Sequence, residues 1–457
     1  MNAVIDFISN ITSAFWGWPI LIVLLGGGLI IGFRTGWVQI RYFPFICKQT
    51  FGKMFKSDVG GEGSVSPFQA ASAALASSIG AANIVVAPSI IFVAGPGAVF
   101  WMWVAAIIGC GTKFAEIILG IKYRETNADG EFVGGPAYTF KKGIGGGLGK
   151  VMGFLVSFFF MIEILPSITL QTISAAAPLE QLGLSRTISA IVITVLVVLV
   201  AYGGIKRIGQ VTEKMVPFMA ALYILGGLVV IIMHADQIPE AFRLIFVGAF
   251  NPSAIAGGAA GAGIMALIKA GAARGCYSNE AGMGSAPYAH ATAITDHPCR
   301  QGMWGVFEVV ADTLIVCTIS ALVVLTTGMW QNPDMKDIGV ERAFNSAFGQ
   351  FGTALVAISL FLFVLSTIIV IVFYAEKQGE YLFGTTVGKI VRFLACGMIV
   401  LGAFMSFDNA GVFLDATLGL VVFVNMVGMI MLSGELKEMV HDFFKNPKYY
   451  PGAKNKD

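Results

Sequence analysis

The sequence predicts an all-α integral membrane protein of eleven transmembrane helices, and three observations carry that prediction. Only 12% of the 457 residues are charged and 56% are hydrophobic, whereas a soluble domain carries roughly 25% charged residues to keep its surface wetted. Apolar runs of about 20 residues, the length a hydrocarbon core of about 30 Å requires, recur along the whole chain. Two of these runs are interrupted by small and polar residues, one in each half of the chain. The 56 Gly suit close helix packing in lipid. A net charge of +2 gives no footprint for nucleic acid.

The expected spans are 16–33, 66–93, 97–121, 151–177, 186–204, 214–234, 255–288, 303–328, 351–374, 388–407 and 411–434. Asp6 interrupts the N-terminus and the run from Trp18 to Phe33 leads straight on, so no cleavable signal peptide is expected. The basic residues set the orientation. With the N-terminus outside, the inner segments hold Arg34, Arg41, Lys48, Lys53 and Lys56, then Lys122, Arg124, Lys141, Lys142 and Lys150. Lys206, Arg207, Lys214, Arg300, Lys377, Lys389, Arg392 and a Lys-rich tail continue the pattern, while the outer loops offer little beyond Arg186, Arg243, Lys336 and Arg342. The reading is a multi-pass protein of the cell membrane, with the N-terminus outside and the C-terminus cytoplasmic. The six scattered Cys have no paired spacing, so neither disulfides nor a metal site is expected.

The first interruption runs from Ala71 to Asn83, with Gly80 about 14 residues, or roughly 21 Å, along its helix from Ser66. A break there places unpaired backbone groups near the bilayer midplane, tolerated only where they line a cavity. Its N–H groups suit a carboxylate and its carbonyls a cation. The competing reading of one such stretch is a tight helix crossing. The second stretch, Ala270 to Pro287, holds four Gly, a Ser-Asn pair, Arg274 and Glu280. Setting the first span aside, the two stretches open successive sets of five spans, and an odd number per set inverts the second. Paired interruptions of this kind point to the binding site of a secondary transporter.

Several motifs extend the pattern: Ser77-Ser78-Ile79-Gly80-Ala81-Ala82-Asn83, Gly95-Pro96-Gly97, Trp101-Met102-Trp103, Thr112-Lys113, Ala115-Glu116 and Gly134-Gly135-Pro136. Gly203-Gly204-Ile205-Lys206, Arg274-Gly275, Ser278-Asn279-Glu280-Ala281-Gly282, Gly284-Ser285-Ala286-Pro287, Thr295-Asp296-His297-Pro298 and Asp312-Thr313 follow in order. In these the chain resembles the alanine/glycine:cation symporter family, within the amino acid-polyamine-organocation superfamily. The resemblance implies a leucine-transporter-type fold of five plus five inverted helices with one extra N-terminal helix. The corresponding divisions are 1–65, a first repeat 66–234, a second repeat 255–434 and a cytoplasmic tail 435–457.

It also implies sodium-coupled uptake of small neutral amino acids, with Na+ as the co-transported ion and no resident cofactor. The substrate carboxylate would meet Ala81, Ala82 and Asn83. Gln171 would help hold the amino group, with groups near Cys276, Tyr277 and Asn279. Sodium would sit among the carbonyls of Ala76, Ile79 and Phe363 and the hydroxyls of Ser366 and Thr367. Taken alone, such a Ser-Thr pair bonds back to its own helix. The chain departs from the family's Gly-Thr-Gly-Asn at Gly80-Ala81-Ala82-Asn83, and Val370 and Ile371 stand where the family has Gly-Trp.

Ionisable residues within spans are functional candidates, because leaving them buried and unpaired is costly. Lys113 and Glu116, three apart on one helix face, are expected to pair. Arg274 and Glu280 flank the second break and are expected at its inner gate, and Asp312 is expected to satisfy backbone groups. Glu163, Lys269 and Glu308 are unusual for the family. Glu163 has three readings: an ion pair with Lys269, a contact that shifts selectivity toward polar or charged amino acids, or a proton site that supplements or replaces sodium. A channel would show repeated charged or carbonyl rings, which the sequence lacks. A membrane enzyme would need a catalytic dyad, and His234, His290, His297 and His441 all fall near loops or span ends.

Overall fold

The computed structural model describes residues 9–10, 12–54, 60–181, 183–251, 263–405 and 407–455. The architecture is helical. Among the described residues eight helices are long and apolar enough to cross a membrane, or nine when one bent pair counts as a single span. In chain order these and their connecting helices are α1 (Thr12–Thr35), the pair α2 (Pro67–Ser78) and α3 (Ala82–Val93), and α4 (Ala98–Lys122). Then come α5 (Gly146–Gln181), α6 (Arg186–Ala201), α7 (Gly204–Met233), α8 (Ile238–Phe250), α9 (Ile264–Asn279) and α10 (Ala286–His290). The chain continues with α11 (Pro298–Thr326), α12 (Gly339–Phe348), α13 (Gln350–Phe383), α14 (Thr385–Gly402), α15 (Phe407–Met431) and α16 (Ser433–Lys445).

Nine predicted spans fall on these long helices and the bent pair. Two fit less simply. The span predicted at 186–204 is α6, only 16 residues long. The start of the span predicted at 255–288 lies outside the described residues, and the rest divides into α9 and α10. Segments read as loops also contain structure: the helices α8 and α12, and a two-stranded antiparallel hairpin pairing β1 (Glu125–Thr126) with β2 (Phe132–Val133). The tail reading at 435–457 omitted α16, whose Leu436, Val440 and Phe443 are buried.

Local sequence explains the key boundaries. Ser66 starts α2 with a capping box, its hydroxyl accepting from the Gln69 N–H while the Gln69 side chain accepts from the Ser66 N–H. Pro67 at the first helical position suits that start. At the other end Ile79 turns extended (φ −76°, ψ 91°), and α2 and α3 meet at 49°. Beyond α9, Glu280 adopts a left-handed conformation (φ 58°), followed by Gly282 (φ 95°) and Gly284 (φ 77°), which glycine adopts without a Cβ clash.

The two broken segments meet at one end. The N–H groups of Ser64 and Val65 both donate to the Thr292 carbonyl, and the Ile294 N–H donates to Val65, so α2 begins where α10 ends. Around them α4 packs on α9 and α11, while α5 packs on α13 and α15. The small side chains foreseen at Ala71–Asn83 allow this approach: Ala70 to Ile84 are all buried.

Candidate functional site

Where α2 ends, the backbone groups released by the break are gathered by side chains from two other helices. Thr367 Oγ1 on α13 lies 2.9 Å from the Ala76 carbonyl oxygen, 3.3 Å from that of Ile79 and 2.9 Å from that of Phe363. Ser366 Oγ lies 2.8 Å from the same Phe363 oxygen. The five residues expected to surround sodium therefore converge in one buried cluster of neutral oxygens. One hydroxyl hydrogen cannot serve three carbonyls at full strength, and such an oxygen-rich cage is what a hard cation prefers.

Two residues further on, Gln171 Oε1 accepts from the Ala81 N–H at 2.9 Å. The Asn83 side chain folds back, its Oδ1 accepting from the Gly80 N–H at 2.9 Å. Gly80 is closely enclosed: a Cβ there would lie 2.7 Å from Thr367 Oγ1 and 2.8 Å from Gln171 Nε2. The Ala81 N–H expected to meet a substrate carboxylate is thus bonded to Gln171, the residue expected to hold the amino group.

The second break is bound to the first by buried charge. Asp312 on α11 accepts from Asn83 Nδ2 at 2.6 Å, from Ser278 Oγ at 2.8 Å and from Thr313 Oγ1 at 2.7 Å. It serves side chains, not the backbone groups expected, because both breaks aim short polar side chains at it. Lys113 Nζ donates to Ser78 Oγ at 3.2 Å and to the Asn279 carbonyl at 2.7 Å, and pairs with Glu308 at 3.2 Å. Asn279 Nδ2 donates to Thr313, while its Oδ1 accepts from the Ala281 N–H. Cys276 donates to the Ala281 carbonyl.

Several expected charge contacts are corrected. Lys113 does not pair with Glu116. It spans to α11, while Glu116 accepts from the Gly282 N–H and from Asn425, since the glycine-rich turn offers donors that the helix face does not. Glu280 and Arg274 do not form one gate. Glu280 accepts from Ser77 and Ser285 at the break, whereas Arg274 makes a two-pronged pair with Asp415 of α15 at 2.7 and 3.1 Å. Glu163 and Lys269 do not pair either. Lys269 lies ten residues before Asn279 and extends to the Ser13 carbonyl at 2.8 Å, as long cationic side chains do near helix ends. Glu163 instead lies in electrostatic range of Glu280.

A cavity of about 370 Å³ leads toward this region, lined among others by Trp16, Lys269, Arg274, Asp415, Val86, Leu170 and Tyr277. Leu170 and Val86 adjoin the first-break residues in sequence, so Gln171 and Asn83 lie buried past the cavity wall. Sequence reasoning missed the chain Gln301–His290–Glu308–Lys113, in which His290 Nε2 lies 2.6 Å from Glu308 and Gln301 Nε2 lies 2.9 Å from His290 Nδ1. The signal was present as Glu308 and Lys113 inside spans. Their convergence depends on how α4 and α11 pack. It also missed Asp415 as the partner of Arg274.

A family profile described as the sodium:alanine symporter family matches residues 1–456. The chain is 42% identical over 454 residues to the uncharacterized transporter YflA of Bacillus subtilis, covering 98% of this chain and 96% of that one. It is 38% identical over 436 residues to the sodium/alanine symporter AgcS of Methanococcus maripaludis, covering 94% and 95%. In fold it is similar to MhsT, solved in complex with L-phenylalanine, with a TM-score of 0.59 over 83% of this chain and 99% of that one. At 13% identity that likeness concerns the backbone alone.

Proposed function

The chain belongs to the sodium:alanine symporter family, and from that premise we propose that this sodium-coupled amino-acid transporter of the membrane carries small neutral amino acids such as alanine and glycine by alternating access. The observation that carries the proposal is the oxygen cluster of Thr367, Ser366, Ala76, Ile79 and Phe363, placed two residues from the Ala81 N–H that Gln171 holds. Sodium takes the cluster, and the Ser366 and Thr367 hydroxyl hydrogens that now point at its carbonyls turn away so that the hydroxyl oxygens also face the ion. The substrate carboxylate takes the Ala81 and Ala82 N–H groups, releasing Gln171 toward the amino group, with Asn83, Asn279, Cys276 and Tyr277 around it.

Both ligands act on one short stretch of backbone, so each fixes the conformation the other needs. Coupling of this kind is reciprocal. A small substrate is consistent with the crowding at Gly80 and with the added methyl group of Ala82. The proposed scaffold is a first repeat at 66–234 and an inverted second repeat at 255–434 after one extra helix. The proposed orientation puts the N-terminus outside, which makes the cavity at Trp16 and Arg274 the outer vestibule. Uptake of labelled alanine, glycine, glutamine and lysine into liposomes holding the purified protein tests this. Sodium-dependent uptake of the first two and little of lysine is expected. Uptake that favours lysine would refute the substrate class.

A further inference from the structure

Seven carboxylates are buried among the described residues: Glu116, Glu163, Glu280, Glu308, Asp312, Glu341 and Glu376. Glu116, Glu280, Glu308, Asp312 and Glu376 each accept a hydrogen bond or face a cation, and Glu341 also has a partner. Glu163, only 2% exposed, stands apart. Among the described residues no hydrogen bond or ion pair reaches it, and its expected cation, Lys269, is engaged elsewhere.

Its position is not peripheral. Glu163, Ser167 and Gln171 follow at intervals of four on α5, which aligns them along one helix face, and all three are buried. Gln171 ends that stripe on the first break. Opposite the stripe are Tyr277 and Cys276 of α9, both in electrostatic range of Glu163. From the second break comes Glu280, the one charged group in its range among the described residues. Tyr288 of α10 and Tyr374 of α13 pack on Phe160, one turn before Glu163. α6, α14 and α15 also pack on α5, and their charged groups Arg186, Arg392 and Asp415 pair with Glu180, Glu376 and Arg274. The cavity from the Arg274 side reaches Tyr277 and Leu170, and Tyr277 in turn lies in electrostatic range of Glu163.

A carboxyl group so placed fits its surroundings as the neutral acid, because an ionised one would lack both a cation and a donor. Opened to water, the same group ionises, and closing the site over it again requires a proton. We propose that Glu163 is a proton-binding site of the transport cycle. Its carboxylate takes H+ from the outer solution to become the acid, the site turns inward with the amino acid and sodium bound, and the acid returns to the carboxylate by releasing that H+ on the inner side. This rests on the transporter reading above and adds a third cargo to it.

The test uses the full chain in liposomes with a trapped pH indicator, an inward sodium gradient and alanine added outside. The lumen is expected to acidify in step with labelled alanine uptake. Glu163→Gln, a stand-in for the acid form, is expected to lower the protons moved per alanine at least tenfold and to flatten the pH profile of uptake. Glu163→Asp keeps the acidification with a displaced pH profile. Sodium-driven alanine uptake without acidification in the unaltered protein overturns this inference alone. The same holds if acidification per alanine is unchanged in Glu163→Gln. Absence of any sodium-driven alanine uptake overturns the transporter reading and this inference together.

Discussion

Asn83 Nδ2 donates to Asp312 Oδ1 at 2.6 Å, and this bond joins the first interrupted helix to α11. The other oxygen of the same carboxylate accepts from Ser278, at the end of α9. One buried acid therefore holds the two breaks in register, and Lys113 repeats the arrangement through Ser78 and Asn279. The site is a pair of loosened helix ends kept at fixed separation by Asp312 and Lys113, which reach both breaks from α11 and α4.

Asp312→Asn keeps the shape of that link but places an amide N–H₂ where acceptors are required. At least one of Asn83, Ser278 and Thr313 then faces a donor, and an unsatisfied buried polar group costs about 1–3 kcal/mol. Alanine uptake is expected to fall at least tenfold in Asp312→Asn, with the protein still recovered from the membrane in the folded state by size-exclusion chromatography. Uptake within twofold of the unaltered protein would argue against the link.

Gly80→Ala places a methyl group against Thr367 Oγ1 and Gln171 Nε2, displacing both the oxygen cluster and the bond to Ala81. Overpacking of this kind costs roughly 1–3 kcal/mol. Uptake is expected to be lost. Gly397→Ala, on α14 where no atom lies within 4 Å of the added carbon, is the control and is expected to transport normally, checked by initial rates side by side.

Thr367→Val keeps the volume and removes the hydroxyl shared by Ala76, Ile79 and Phe363. The sodium concentration for half-maximal alanine uptake is expected to rise at least tenfold. Ser366→Ala, which removes a contact to Phe363 alone among the three carbonyls, is expected to raise it less. A sodium titration of initial uptake rates decides between equal and unequal effects, and equal, small shifts would count against this cluster as the sodium site.

Much of this site was legible in the sequence, and the reason is local. A break in a membrane helix is written in consecutive residues such as Ser77–Asn83 and Ser278–Gly284. A Ser-Thr pair in an apolar helix stands out against its neighbours. Partners across helices are not written that way. Lys113 and Glu116 look like a pair on one helix face, yet each found stronger partners on another element. Lys269 and Glu163 have complementary charge but different depths. Arg274 found Asp415, 141 residues away. In the fold, long apolar runs announced themselves, whereas α8 and α12, which pack along the bundle, were hidden in segments too short to span it.

Arg274 and Asp415 close the cavity side of the site by a two-pronged ion pair between α9 and α15. Removing one partner leaves the other charge half-buried. In Asp415→Asn the contact between α9 and α15 at Arg274 is expected to open more readily. A cysteine placed at Ala273, which lines the cavity, should react with a membrane-impermeant thiol reagent severalfold faster in that background. An unchanged labelling rate would remove the pair from the gating path.

If sodium drives the amino acid through the paired breaks, its gradient alone must power accumulation. Liposomes containing the purified protein are loaded with potassium and diluted into sodium or into potassium, with labelled alanine outside. Accumulation above the external concentration is expected only in sodium, collapsing when a sodium ionophore dissipates the gradient. Accumulation that is the same in both solutions would contradict it.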